Sequence, residues 1–260
     1  MLAAERRNSI TEKLHRERKV VVSELSREYG VSEETIRRDL DRLDKDGIAT
    51  KSYGGVVIND FSAIDLPYSV RKQANVRGKM RIAELVDGLI EDGDHIILDA
   101  SSTAVFIAGA IKHKKNLTVV TNSIEVILEL SDVQGWNIIA SGGNLKEGNL
   151  ALVGPRAAAG LSAFNVDKGF FSCKGIDLER GVTEGNESVA QTKEVIMHAS
   201  DRHFLAVDQS KFGTVGLSRV CDVRDIDVII TDVKPDDTWL DYCRRHGIEV
   251  LYPETSEPIL

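Results

Sequence analysis

The tail Asp99-Ala100-Ser101-Ser102-Thr103 has the residue types of an anion site. It lies between the apolar run His95 to Leu98 and a helical stretch from Ala104 to Lys112. Backbone N–H groups and hydroxyls there converge on the positive end of a helix dipole, where a phosphate is the natural guest. Equally open is the plainer reading that Ser102 or Thr103 only caps the helix. Other apolar runs end in similar polar tails: Thr121-Asn122-Ser123, Ser141-Gly142-Gly143, Ser172-Cys173-Lys174-Gly175, Asp208-Gln209-Ser210-Lys211 and Thr231-Asp232. Lys174 and Lys211 are candidate cations, although a loop lysine is most often solvated. Asp99, Asn122, Asp177 and Asp208 could hold hydroxyls. Arg156, after Gly154-Pro155, could pair an anion or stand exposed in a first helical turn.

A second chemistry belongs to Val31 to Gly47, VSEETIRRDLDRLDKDG. Ile36, Leu40 and Leu43 recur at helical spacing on one face, and Thr35, Arg38 and Arg42, with Arg37 beside them, fall away from it. Ser32 stands at the N-cap position, Glu33 and Glu34 at the positive end of the dipole, and Gly47 at the stop. Val22 to Tyr29 forms a shorter helix before a turn at Gly30, and helix, glycine turn, helix is a helix-turn-helix. The second helix would enter the major groove of double-stranded DNA. Upstream, Glu5 to Arg18 makes a further helix with Ile10 and Leu14 inward. Downstream, Ile48 to Ile58 reads as a β-hairpin wing carrying Lys51 and Tyr53. Arg37 and Arg38 are the first candidates for base or phosphate contact, with Thr35, Arg42, Lys51 and Tyr53 in support. The plain alternatives are a solvated charged helix face and a protein-binding module.

These groups imply two domains. Residues 1–58 form the winged helix-turn-helix, 59–78 a linker interrupted by Pro67 and carrying a basic run at Arg71, Lys72, Arg77 and Lys79, and 79–260 the second domain. From His95 onward, short apolar strands alternate with helical stretches, which predicts a mostly parallel sheet covered on both faces. Ligands of such sheets bind beyond the carboxyl ends of the strands, where the polar tails cluster. The net charge of -8 argues against a nucleic-acid partner for the chain as a whole, but its distribution does not. Residues 1–53 hold 12 Lys and Arg against 11 Asp and Glu, which leaves the excess acid elsewhere. Cys173, Cys221 and Cys243 form no CxxC or Cys/His cluster, so neither a metal site nor a disulfide framework is expected, and a reducing cytoplasm is. No signal peptide or membrane span is legible, and no cofactor is called for.

At this level of detail the chain resembles the DeoR family of bacterial transcriptional regulators over essentially its full length. VSELSREYGVSEETIRRDLDRLDKDGIATKSYGGVV resembles the family's DNA-binding signature. ILDASSTA, VVTNS, SGGNL, SCKGIDLERGVTEGNESVAQTKEV and AVDQSKFG resemble its sensor-domain motifs. Ser101 stands where the family more often has Gly, and Ser172-Cys173-Lys174 where it commonly has Gly-Ala-Asp. The resemblance implies an effector domain related in fold to ribose-5-phosphate isomerase that binds phosphorylated sugars without turning them over. Its pocket candidates are Asp99, Ser101, Ser102, Thr103, Asn122, Lys174, Asp208 and Lys211. The expectation is a cytoplasmic repressor of a carbohydrate-metabolism operon that binds operator DNA as a homo-oligomer. A sugar-phosphate isomerase with an N-terminal extension is the alternative, and the attached helix-turn-helix weighs against it.

Overall fold

The computed structural model describes residues 3–45, 49–58 and 68–254. The expected helix stop at Gly47 lies outside them. The chain divides into two compact units between Asn75 and Val76.

The first unit contains α1 (Ala3–Glu17), β1 (Lys19–Val21), α2 (Val22–Tyr29), α3 (Glu33–Lys45), β2 (Ala49–Ser52), β3 (Gly55–Ile58) and α4 (Tyr68–Gln73). Ile10, Leu14, Leu25, Ile36, Leu40 and Leu43 are buried together with Val20, Ala49 and Val56. Helical spacing thus selects the side that packs. Gly30 adopts the left-handed conformation that ends α2, and the Thr35 N–H donates to Ser32 Oγ at 3.2 Å as a cap. β2 and β3 pair as an antiparallel hairpin with Tyr53-Gly54 at its tip. The hairpin is joined by β1, which the sequence did not announce, giving the order β1-β3-β2. A three-residue strand exists only through its partner, and here the partner must be glycine: a Cβ at Gly55 would lie 2.0 Å from the Val20 carbonyl oxygen. Helix α4 occupies part of the expected linker, because Tyr68 is buried after Pro67 and gives residues 68–73 something to pack.

The second unit opens with α5 (Val76–Asp87), so Lys79 belongs to a helix and is buried rather than part of a solvated basic run. Then follow β4 (His95–Leu98), α6 (Ser102–Ala110), β5 (Thr118–Thr121), α7 (Ile124–Leu130), β6 (Asn137–Ala140), β7 (Asn144–Lys146) and β8 (Ala151–Val153). After them come α8 (Pro155–Ser162), β9 (Val166–Phe171), β10 (Gly175–Asp177), β11 (Gly181–Glu184), α9 (Glu187–His198) and β12 (Ser200–Ala206). The last elements are β13 (Ser218–Cys221), β14 (Val228–Ile230), α10 (Asp237–His246) and β15 (Glu249–Leu251). Seven strands form one sheet in the order β15-β14-β12-β9-β4-β5-β6, every neighbouring pair parallel. Ile96, Ile97, Leu98, Val119, Val120, Phe170 and Phe204 are buried in it, the near-continuous apolar texture of strands covered on both faces. A small antiparallel sheet, β10-β11-β13, and the hairpin β7-β8 are added outside it. From β4 the chain builds outward through β5 to β6, whereas β9 is inserted on the other side of β4. The carboxyl ends of β4 and β9 are therefore a topological switch point, the position at which open parallel sheets bind ligands.

Candidate functional site

At that switch point the tail after β4 meets the tail after β9 through Asp99, which is 1% exposed. Asp99 Oδ1 accepts the Ser101 N–H at 3.0 Å, and Oδ2 accepts the Ser172 N–H at 3.1 Å. Oδ2 also accepts from Lys193 Nζ at 2.6 Å. Lys193, on α9, reaches the Ser172 carbonyl at 2.5 Å and Glu184 Oε1 on β11 at 2.9 Å. Its three donors thus meet three acceptors. Burial opposes the ammonium charge, but Asp99 and Glu184 outweigh it and hold Lys193 above the ordinary lysine range. The Asp99 carboxylate is engaged on both oxygens and ties the two tails together.

Ser101 is the N-cap of α6: its Oγ accepts the Ala104 N–H at 3.0 Å. The helix begins at Ser102, earlier than the sequence suggests, and the cap falls on Ser101 rather than on Ser102 or Thr103. Ser101 has φ -81°, an ordinary extended conformation, so serine at a position where glycine was anticipated carries no strain. Helix geometry leaves the Ser102 and Thr103 N–H groups without an intrahelical acceptor. At the end of β5, the strand paired with β4, the Asn122 side chain donates from Nδ2 to the Leu152 carbonyl at 3.1 Å. That bond fixes which end of the amide is oxygen, because a carbonyl must receive a donor. Among the described residues, Asn122 Oδ1 is buried with no hydrogen-bond partner, an acceptor able to take a donor.

At the end of β12, Asp208 is buried and accepts from the Ser210 N–H at 2.9 Å and from the Ser210 hydroxyl. Burial acts to raise its pKa, and the Lys211 charge, the Ser210 bonds and the Lys79 charge outweigh that and hold it below the usual carboxylate range. Lys79, read from the sequence as one of a basic run, thus acts on Asp208 together with Lys211. The Lys174 N–H donates to the Thr183 carbonyl at 3.0 Å, and its side chain is half-buried. Asp177 Oδ1 accepts the Glu179 and Arg180 N–H groups at 2.9 Å and organises its own turn. Arg156 is exposed in the first turn of α8.

In the first unit Arg37, Arg38 and Arg42 are exposed on α3, Thr35 is half-buried at its start, and Tyr53 is fully exposed at the hairpin tip. Arg37 pairs with Glu33 at 2.6 Å, Arg38 with Glu34 at 3.4 Å, and Lys51 with Asp41 at 2.9 Å. A different arrangement holds the other side of α3. Asp39, on the buried side, accepts from Arg6 Nε at 2.6 Å and Arg7 Nη1 at 3.4 Å, which locks α1 against α3.

Residues 6–61 match the family model of the DeoR-like helix-turn-helix domain, and residues 74–233 that of the DeoR C terminal sensor domain. The HTH-type transcriptional regulator YulB of Bacillus subtilis is 38% identical over 89% of this chain and 90% of its own. The putative aga operon transcriptional repressor of Escherichia coli O157:H7 is 33% identical over 95% and 93%. The chain belongs to the DeoR family. It is a transcriptional regulator, not an enzyme. Another relative, the glycerol-3-phosphate regulon repressor of Escherichia coli K12, is 29% identical over 96% of this chain and 99% of its own. Among solved structures, ribose 5-phosphate isomerase A of Methanocaldococcus jannaschii aligns at TM-score 0.39 and 14% identity over 52% of this chain and 54% of that one. So partial an overlap adds nothing to the fold that the parallel sheet itself establishes.

Within the sensor domain of this DeoR-family chain, sequence reasoning missed Lys193. It lies inside the run QTKEV but reads as one more helical lysine, and its partner Asp99 is 94 positions away. Lys79 was hidden in the same way by basic neighbours. Among the described residues no cluster of His, Cys, Asp or Glu could hold a metal ion, and no helix is long and apolar enough to cross a membrane.

Proposed function

We propose that this regulator is a repressor whose operator affinity is controlled by a phosphorylated sugar or sugar derivative bound at the carboxyl ends of β4, β5, β9 and β12. The reading is carried by one juxtaposition: the first-turn N–H groups of α6, which helix geometry leaves without an intrahelical acceptor, follow β4, and Asn122 with its buried Oδ1 follows the paired strand β5. Ser102 and Thr103 supply donors for a phosphate, and Asn122 Oδ1 supplies an acceptor for a sugar hydroxyl. Ser101 and Asp99 hold the loop in shape, and Lys174, Asp208 and Lys211, with Lys79, contribute charge around it. Two relatives are named for repression, of an aga operon and of a glycerol-3-phosphate regulon, and the second name contains a phosphorylated polyol. On the DNA side, Arg37, Arg38 and Arg42 with Thr35 face the major groove, and Lys51 and Tyr53 work from the wing. One winged domain makes a small interface, so the regulator acts as a homo-oligomer on repeated or palindromic half-sites, in the cytoplasm where its DNA lies.

The test is a thermal-shift series of sugar phosphates beside their unphosphorylated parents. A ligand at ~100 times its Kd stabilises the native state by about 2.7 kcal/mol. At least one phosphorylated sugar should raise the melting temperature while its parent does not, and NMR should find that sugar unconverted. Equal shifts from both members of every pair would refute the phosphate site.

A further inference from the structure

On the exposed face of α3, acids and bases are matched: Glu33 with Arg37, Glu34 with Arg38, and Asp41 with Lys51 of β2. The unit that carries them is close to neutral, with 12 Lys and Arg against 11 Asp and Glu over residues 1–53. Affinity that ignores sequence comes from cations neutralising phosphates and releasing counterions. Here Arg37, Arg38 and Lys51 already have carboxylate partners. Glu33 and Glu34 also occupy the first turn of the recognition helix, the turn whose side chains meet base edges when such a helix lies in the major groove. A carboxylate there can accept from the amino group of cytosine, while an arginine donates to guanine.

We propose that Glu33 and Glu34 determine DNA specificity by holding Arg37 and Arg38 in ion pairs that only a matching base sequence exchanges favourably. A matching site presents guanine acceptors to the arginines and cytosine amino groups to the carboxylates, so all four side chains leave one partner for another. On a non-matching duplex the arginines stay with their carboxylates, because exchanging them for phosphates would leave the carboxylates against acceptors and phosphates of like charge. Discrimination then comes from a built-in repulsive element as much as from the attractive one. The proposal rests on the DNA-binding reading of α3.

The full-length wild type and the double variant Glu33→Gln/Glu34→Gln would be titrated by fluorescence anisotropy against two duplexes of equal length. One is recovered by the wild type from a random-sequence library, and the other is its scrambled counterpart. Freeing two arginines for phosphate contact adds roughly 2 to the log-log salt slope, at about 0.9 per contact. Between ~50 and ~200 mM salt, the variant's affinity for the scrambled duplex should therefore fall about tenfold more than that of the wild type. Its preference for the selected duplex should drop about tenfold. Glu24→Gln, which removes an exposed carboxylate from α2, should change neither quantity. An unaltered slope and preference in the double variant, or equal changes in Glu24→Gln, would overturn the proposal. If the double variant does not fold, Asp41→Asn carries the same test through Lys51, with a slope change of about 1. A wild type that selects no sequence at all would instead refute the DNA reading beneath it.

Discussion

The two units hold their working charges in opposite ways. On α3 the pairs Arg37–Glu33 and Arg38–Glu34 are exposed, each within a single helix, and in water such pairs contribute about 0 to 1 kcal/mol. At the sheet's switch point the Lys193–Asp99–Glu184 network joins α9, the tail after β4 and β11, with Lys193 and Asp99 buried and Glu184 nearly so. Removing one member of such a network leaves a buried charge uncompensated. Weak exposed pairs suit a surface that must exchange partners with DNA. A saturated buried network suits a loop that must keep its shape whether or not a ligand is present.

Lys193→Met leaves Asp99 and Glu184 facing each other without a cation and should destabilise the sensor unit by ~3–5 kcal/mol, read by thermal or urea denaturation. In the wild type this lysine is held above its unfolded pKa. Its contribution is therefore complete at any pH below about 10.4 and fades only as pH rises through the higher folded value.

A buried pair within the DNA-binding unit tests whether burial, rather than domain, is what matters. Asp39→Ala strands Arg6 between α1 and α3 and should cost about 3 kcal/mol of that unit's stability, with the loss visible as an earlier melting transition. A cost near that of an exposed pair would break the comparison.

Asp208 lies between the extremes because its carboxylate is buried but held by a turn and neighbouring lysines. Its pKa is depressed, so its contribution is present above the unfolded value of about 3.9 and is lost as pH falls through the folded one. Asp208→Asn should accordingly lower the melting temperature more at pH ~7 than at pH ~3. Equal losses at both would mean the charge is idle.

The smallest effect on stability belongs to the α3 face. Arg37→Ala or Arg38→Ala should shift folding stability by no more than ~0.5 kcal/mol. Whichever arginine makes a bidentate guanine contact should still lose ~1–3 kcal/mol of operator affinity. Unchanged affinity in both variants would remove this face from the interface.

Much of this organisation is legible in the sequence because it is local. The inward triad Ile36, Leu40 and Leu43, the Gly30 turn and the wing hairpin each declare themselves within a few positions. The parallel sheet follows from alternating apolar runs and helical stretches. What escapes is non-local: β1 exists only because Gly55 lets Val20 approach, and Lys193 finds Asp99 only after the sheet places β9 beside β4. Lys79 escapes for another reason, since a basic run reads as solvated until a helix buries one of its members.

The most direct test titrates operator DNA with and without the best thermal-shift ligand, for the wild type and for Ser102→Glu. A carboxylate at the start of α6 competes for the N–H groups meant for phosphate and repels the dianion. A ligand can shift the protein only through its differential affinity for two states. The ligand should therefore weaken operator binding by the wild type and leave Ser102→Glu bound to DNA with wild-type affinity. Release of Ser102→Glu at the same ligand concentration as the wild type would contradict the account and move the phosphate site away from this loop.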